Sequence, residues 1–132
     1  MTTTPDVPPP PSGLTRWIRA FANSGAGFRS ALKHEAAVRQ ELAALVVLVP
    51  VAVYLPVTAP EKLVLVGSML LVLIVELLNS AIEATVDRIS LERHPLSGRA
   101  KDMGSAAVLT SLLFSVVCWV VIAGPLVVAK LK

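Results

Sequence analysis

Charge, aromatic rings and cysteine are all scarce in this chain, and each scarcity removes a class of explanation. Only 16% of the 132 residues are charged and 5% aromatic, while 55% are hydrophobic and the mean hydropathy is +0.72. A water-soluble globule cannot hide that much apolar surface behind so little polar surface. The one cysteine, Cys118, stands inside an apolar run, so it excludes an intramolecular disulfide and reads as a small packing or lipid-facing residue. His34 has no paired histidine or cysteine at metal-ligand spacing, which disfavours a zinc site. There is no Gly-rich loop ending in lysine and serine or threonine, and no dinucleotide fingerprint; Gly25, Ala26, Gly27 is too weak to count as either. A nucleotide, if bound, is held by an unusual surface. The net charge is +3, but the positive residues are scattered among apolar runs rather than gathered in a stripe. Anionic phospholipid or an anionic soluble substrate is therefore a better counterpart than nucleic acid.

What is present is long apolar sequence. The expectation is an all-α membrane protein with three transmembrane helices preceded by an amphipathic surface helix, all in one small domain. Residues 1–13 hold half of the prolines, including Pro8 to Pro11, and read as a disordered tail before a membrane domain over 14–132. Ser12 is a reasonable cap for the first helix. From Leu14, the residues Trp17, Ile18, Phe21, Phe28 and Leu32 alternate with Arg16, Arg19, Arg29 and Lys33. That pattern predicts a helix over about 14–33 lying along the bilayer, interrupted near Gly25, Ala26, Gly27. The first span is predicted at about 34–57; its apolar run begins only at Leu42 and has no small-residue cleavage site, so it reads as a retained span rather than a signal peptide. The second span is predicted at about 61–87 and the third at about 97–129, with a turn around Pro95 and Gly98 between them.

Basic residues set the orientation. Arg16, Arg19, Arg29, Lys33, Arg39, Arg88, Arg93, Arg99 and Lys101 fall on one side, against Lys62, Lys130 and Lys132 on the other. By the positive-inside rule the first side, with the N-terminus, is cytoplasmic in a multi-pass protein of the inner membrane.

The chemistry is concentrated where the second span ends. Thirteen uncharged residues, Leu63 to Val75, lead directly into Glu76, with Asn79, Ser80, Glu83 and Asp87 following at helical spacing. Acidic groups on an apolar span are too costly to be packing accidents and mark chemistry or ion binding. Glu76, the deepest, is the candidate general base. Glu83, about 10 Å further along the helix, is a candidate ligand for a hard divalent ion such as Mg²⁺, which takes one or two carboxylates together with waters and phosphate oxygens. Glu35, at the entrance to the first span, offers a second carboxylate at the same membrane face. Lys101 can neutralise phosphate oxygens, with Asp102 to orient it or to hold an amide, and Arg93 and Arg99 are further phosphate candidates of lower rank. On these residues alone an enzyme and a non-enzymatic, polar-lined membrane oligomer both remain open.

The sequence around these groups is specific. Glu35, Ala36, Ala37 with Arg39, Gln40, Glu41; Val75 through Glu83 with Val86, Asp87, Arg88; and Leu96 through Ala107 together resemble the small bacterial integral-membrane diacylglycerol kinases, over roughly Gly13 to Val128. The resemblance implies a homotrimer of three-span protomers that transfers the γ-phosphoryl of MgATP to the hydroxyl of diacylglycerol, giving phosphatidic acid. It implies Glu76 as base, Glu35 and Glu83 as holders of the divalent ion, and Asn79, Lys101 and Asp102 as further parts of the catalytic site. It also implies that Arg16 joins Glu35, Glu83 and Lys101 around the nucleotide, and that Ser105 lies with Glu76 beside the lipid. Asn23, Gly25 and Ala26 depart from the aromatic and basic residues of close relatives in the surface helix. A kinase for undecaprenol or another lipid alcohol would use the same chemistry with a different hydrophobic groove.

Overall fold

The computed structural model describes residues 13–89, 91–92 and 94–131, so the tail expected over 1–13, apart from Gly13, lies outside the described residues, as do Ser12, Arg93 and Lys132. Four helices follow one another: α1 (Leu14–His34), α2 (Ala36–Tyr54), α3 (Ala59–Ile89) and α4 (Pro95–Lys130). The last three are each long and apolar enough to cross a membrane. At roughly 1.5 Å per residue, α3 and α4 each exceed the ~30 Å hydrocarbon thickness by several turns, so their facing polar ends extend beyond the hydrocarbon.

Local chemistry explains where the helices start and stop. A single extended residue, Glu35 (φ −106°, ψ 113°), separates α1 from α2. Its N–H bonds to Ala31 O at 2.8 Å, and Arg39 Nη1 donates to Leu32 O at 3.1 Å, so two carbonyls at the end of α1 are satisfied at the joint. α1 runs unbroken through Gly25, Ala26, Gly27, contrary to the interruption expected there. Each glycine weakens a helix by about 1 kcal/mol relative to alanine, but it keeps its N–H and does not break the ladder. α3 begins at Ala59, two residues before the expected start. Glu61 Oε2 accepts from Thr58 N at 2.7 Å and Thr58 Oγ1 at 2.6 Å, so a side chain of the first turn caps the helix entrance. α4 likewise begins two residues early, at Pro95, whose fixed φ suits a first helical position, with His94 Nδ1 accepting from Leu96 N at 3.2 Å.

α3 is the centre of the packing and lies most closely against α4, then α2. One stripe of α3 is buried: Leu65, Ser68, Met69, Val72, Leu73, Glu76 and Asn79, at the three- and four-residue spacing of a helix face. α2 presents Val38, Leu45 and Ala52 to the interior, and α4 presents Gly104, Ser111 and Ser115. The small side chains of α4 allow its backbone to come close to α3. Ser68 Oγ donates to Leu65 O at 2.9 Å, so the 3.2 Å contact with Ser115 Oγ is donated by Ser115. Tyr54, Leu63 and Val121 are among the many large apolar side chains left exposed on the single chain. Lipid tails are a natural surrounding for them.

Candidate functional site

The buried stripe of α3 turns polar without leaving the interior. Glu76 and Asn79 are only 7% and 8% exposed, so two costly groups occupy positions that apolar residues hold one and two turns earlier. Asn79 Nδ2 donates to Glu83 Oε1 at 3.3 Å, linking successive turns. Its Oδ1 is buried with no hydrogen-bond donor and faces Gly104 of α4. The orientation is chemically sensible, because an amide oxygen turned toward the Glu83 carboxylate would be repelled.

Acidic groups from separate helices come together here. Glu76 lies within electrostatic reach of both Glu83 and Glu35, and Glu41 of α2 lies within reach of Glu76. The extended conformation of Glu35 places it at the α1/α2 joint. Like charges gathered in this way disfavour one another, a cost that a cation or a bound proton would offset. Glu41 had no assigned role in the sequence. It begins an apolar run and so resembles an ordinary interfacial charge, but in the structure one of its carboxylate oxygens is buried without a partner. It lines a groove of about 350 Å³ with Leu45, Met69, Ser115 and Trp119, whose Nε1 is likewise buried and unpartnered.

Lys101 opens toward the same end. Its Nζ is 2.5 Å from Asp87 Oδ1, an ion pair that bridges the end of α3 to the start of α4, and it also feels the charge of Glu83. Lys101 therefore takes Asp87, and not the neighbouring Asp102, as its partner; Asp102, Arg99 and Ser105 are exposed. Lys101 and Asp87 line a second groove, of about 480 Å³, with Glu92, His94 and Ser97. A third, of about 360 Å³, lies between α1 and α3 and contains Glu35, Phe28 and the buried, unpartnered Oγ of Ser80. Arg16 is not brought into this group by any described contact. It packs over the Trp17 ring at 5.8 Å, at the opposite end of α1 from Glu35, about 28 Å of helix away.

Among the described residues no three His, Cys, Asp or Glu side chains converge as a ready-made metal cage. Mg²⁺ does not require one: it keeps waters, takes one or two carboxylates and fills its remaining positions with substrate phosphate oxygens. The hard oxygens of Glu35 and Glu83 fit that demand. The arrangement can thus offer a buried carboxylate to a hydroxyl proton, two carboxylates to a divalent ion, and an ammonium to an anion.

Comparison with known proteins identifies the family. The family described as prokaryotic diacylglycerol kinase matches residues 22–123. The diacylglycerol kinase of Escherichia coli (strain K12) is 51% identical over 111 residues, covering 84% of this chain and 91% of the relative. That of Pseudomonas aeruginosa is 55% identical over 111 residues, covering 84% and 90%. That of Haemophilus influenzae is 45% identical over 108 residues, covering 82% and 92%. With a family match across most of its length and relatives of this similarity, the chain belongs to the prokaryotic diacylglycerol kinase family.

Proposed function

We infer that this protein phosphorylates diacylglycerol, moving the γ-phosphoryl of MgATP to the lipid's free hydroxyl and releasing phosphatidic acid and ADP. The observation that carries this is the buried Glu76, set at the end of an apolar span and within reach of Glu35 and Glu83. A diacylglycerol molecule keeps its acyl chains in hydrocarbon and its hydroxyl at the headgroup boundary. Glu76 is at the corresponding place on α3, where thirteen uncharged residues give way to the polar turns. The groove beside Glu41 and Trp119 supplies an apolar wall there, and Ser105 is a further candidate lipid contact.

In this mechanism Glu76 accepts the hydroxyl proton as the lipid oxygen attacks phosphorus. Mg²⁺, when bound, would supply neutralisation of the phosphate charge. Glu35 and Glu83 hold that ion, and Asn79 orients Glu83 through their hydrogen bond. Lys101, steadied by Asp87, approaches the phosphate oxygens from α4; Asp102 borders the nucleotide. Positioning and charge neutralisation account for most of the rate in such transfers.

The wider setting is a homotrimer in the bacterial inner membrane, with the N-terminus and the site at the cytoplasmic face. The excess of Arg and Lys on that side supports the orientation. Residues 14–132 act as one membrane kinase domain, with α1 lying along the surface on its apolar side chains Trp17, Ile18, Phe21, Phe28 and Leu32, which the single chain leaves exposed. Arg16 serves the nucleotide, in trans where its own chain does not reach the carboxylates.

The test is phosphorylation of diacylglycerol and of undecaprenol side by side in mixed micelles with γ-labelled ATP. Label in phosphatidic acid well above label in undecaprenyl phosphate is expected. The reverse preference would move the substrate to a polyprenol, and ATP-independent ion flux with no labelled lipid would leave a polar-lined oligomer instead.

A further inference from the structure

The side chain missing from Gly104 has a structural consequence at the site. A Cβ built on Gly104 would overlap Asn79 Oδ1 and stand 3.2 Å from its Cγ, whereas the other helical glycines, 25, 27, 67, 98 and 124, have nothing within 4 Å. Gly104 is therefore the described glycine at which a neighbouring side chain occupies the space of an absent methyl. That neighbour is 8% exposed, and its oxygen has no conventional donor. The Cα–H of a glycine at a helix interface is a weak donor to an oxygen placed in this way. The other end of the same amide holds Glu83 at 3.3 Å.

We infer that Gly104 is a positioning residue for phosphoryl transfer: by having no side chain, it lets the Asn79 carboxamide seat its oxygen against α4 and so direct its nitrogen along α3 to Glu83. A methyl at position 104 forces Oδ1 to swing away, while Cγ, at 3.2 Å, has to give by only a few tenths of an ångström. Oδ1 and Nδ2 belong to one planar carboxamide, so turning it to move the oxygen also moves the nitrogen that donates to Glu83. The inference rests on the proposed role of Glu83 as a ligand of the divalent ion. Outer partners that orient metal ligands typically change affinity or activity by about 10- to 100-fold when lost.

The experiment is a cycle of full-length Gly104→Ala, Asn79→Ala and the double variant, purified in detergent. It reads the melting temperature, the Mg²⁺ concentration for half-maximal lipid phosphorylation, and the ¹H–¹⁵N side-chain amide resonance of Asn79. Gly104→Ala should raise the half-activating Mg²⁺ concentration about 10-fold or more, shift the Asn79 amide resonance and lower the melting temperature. In the Asn79→Ala background the same substitution should hold or raise the melting temperature, because the remaining Cβ lies at an ordinary 3.9 Å from the new methyl and alanine is the better helix former. Equal losses of melting temperature in both backgrounds, or failure of the double variant to assemble, would make Gly104 a general packing residue and overturn the proposal. So would a parent-like Mg²⁺ midpoint with an unmoved Asn79 resonance. Glu83→Gln in the parent separates the two levels: an unchanged Mg²⁺ midpoint there removes the metal role of Glu83, while the melting cycle and the resonance still decide the contact with Gly104.

Discussion

Replacing Glu76 by glutamine should nearly abolish lipid phosphorylation and leave the protein folded. The substitution preserves shape at a position only 7% exposed, so it opens no cavity. It also removes a negative charge that stands within reach of Glu83 and Glu35. Loss of like-charge repulsion and of the desolvation of a carboxylate both favour the folded state, so the melting temperature should hold or rise. What is lost is the acceptor for the hydroxyl proton. General-base catalysis contributes about 100- to 10,000-fold, or about 3 to 5 kcal/mol of barrier at roughly 1.36 kcal/mol per tenfold change. Because the proton moves only in the transition state, kcat and kcat/KM should fall together, with the KM for lipid and for ATP little changed. The assay is initial-rate labelling of phosphatidic acid at matched protein concentration and saturating Mg²⁺. Parent-like kcat in the glutamine variant would remove Glu76 from the base role. A raised KM at unchanged kcat would make it a binding group instead.

Two further substitutions probe the surroundings. Lys101→Met should lower kcat/KM for ATP about 100-fold, the scale for removing one charged donor from a transferring group, with little change in melting temperature because its ion pair with Asp87 is exposed; an ATP titration at fixed lipid reads both kinetic constants. Ser115→Ala, which removes the hydroxyl bonded to Ser68, should destabilise the α3–α4 contact by about 0.6 kcal/mol, the typical value for an interhelical hydrogen bond in a membrane protein. Detergent-induced unfolding should show that loss while the Mg²⁺ and ATP dependence of turnover stay at parent values.

The three apolar helices are legible because lipid demands them: a run such as Leu63 to Val75 has no other economical environment. The exceptional character of Glu76 and Asn79 is legible for the same reason, since polar groups at helical spacing on such a run contradict it. Boundaries are less visible. The capping of α3 by Glu61 and of α4 by His94 depends on side-chain geometry that moves each start by two residues from the hydropathy edge. The continuity of α1 through two glycines depends on neighbouring turns rather than on the glycines themselves. Partnerships are the least visible. Sequence proximity suggests Asp102 for Lys101, but residues one apart on a helix point in different directions, and Asp87 meets Lys101 across the hairpin. Glu41 reads as an interfacial charge until packing buries one of its oxygens beside Trp119. Gly104 gave one usable signal, an isolated glycine in a helical run, which marks close approach without saying to what.

The most direct measurement of the central claim, that acidic groups from separate helices act as one ion-holding site, is the Mg²⁺ dependence of lipid phosphorylation in Glu35→Gln, Glu83→Gln and the double variant. If both carboxylates hold one ion, each single change raises the half-activating Mg²⁺ concentration, and the double change costs less than the product of the two. Strictly multiplicative effects, or single variants that titrate with Mg²⁺ as the parent does, would contradict a shared site.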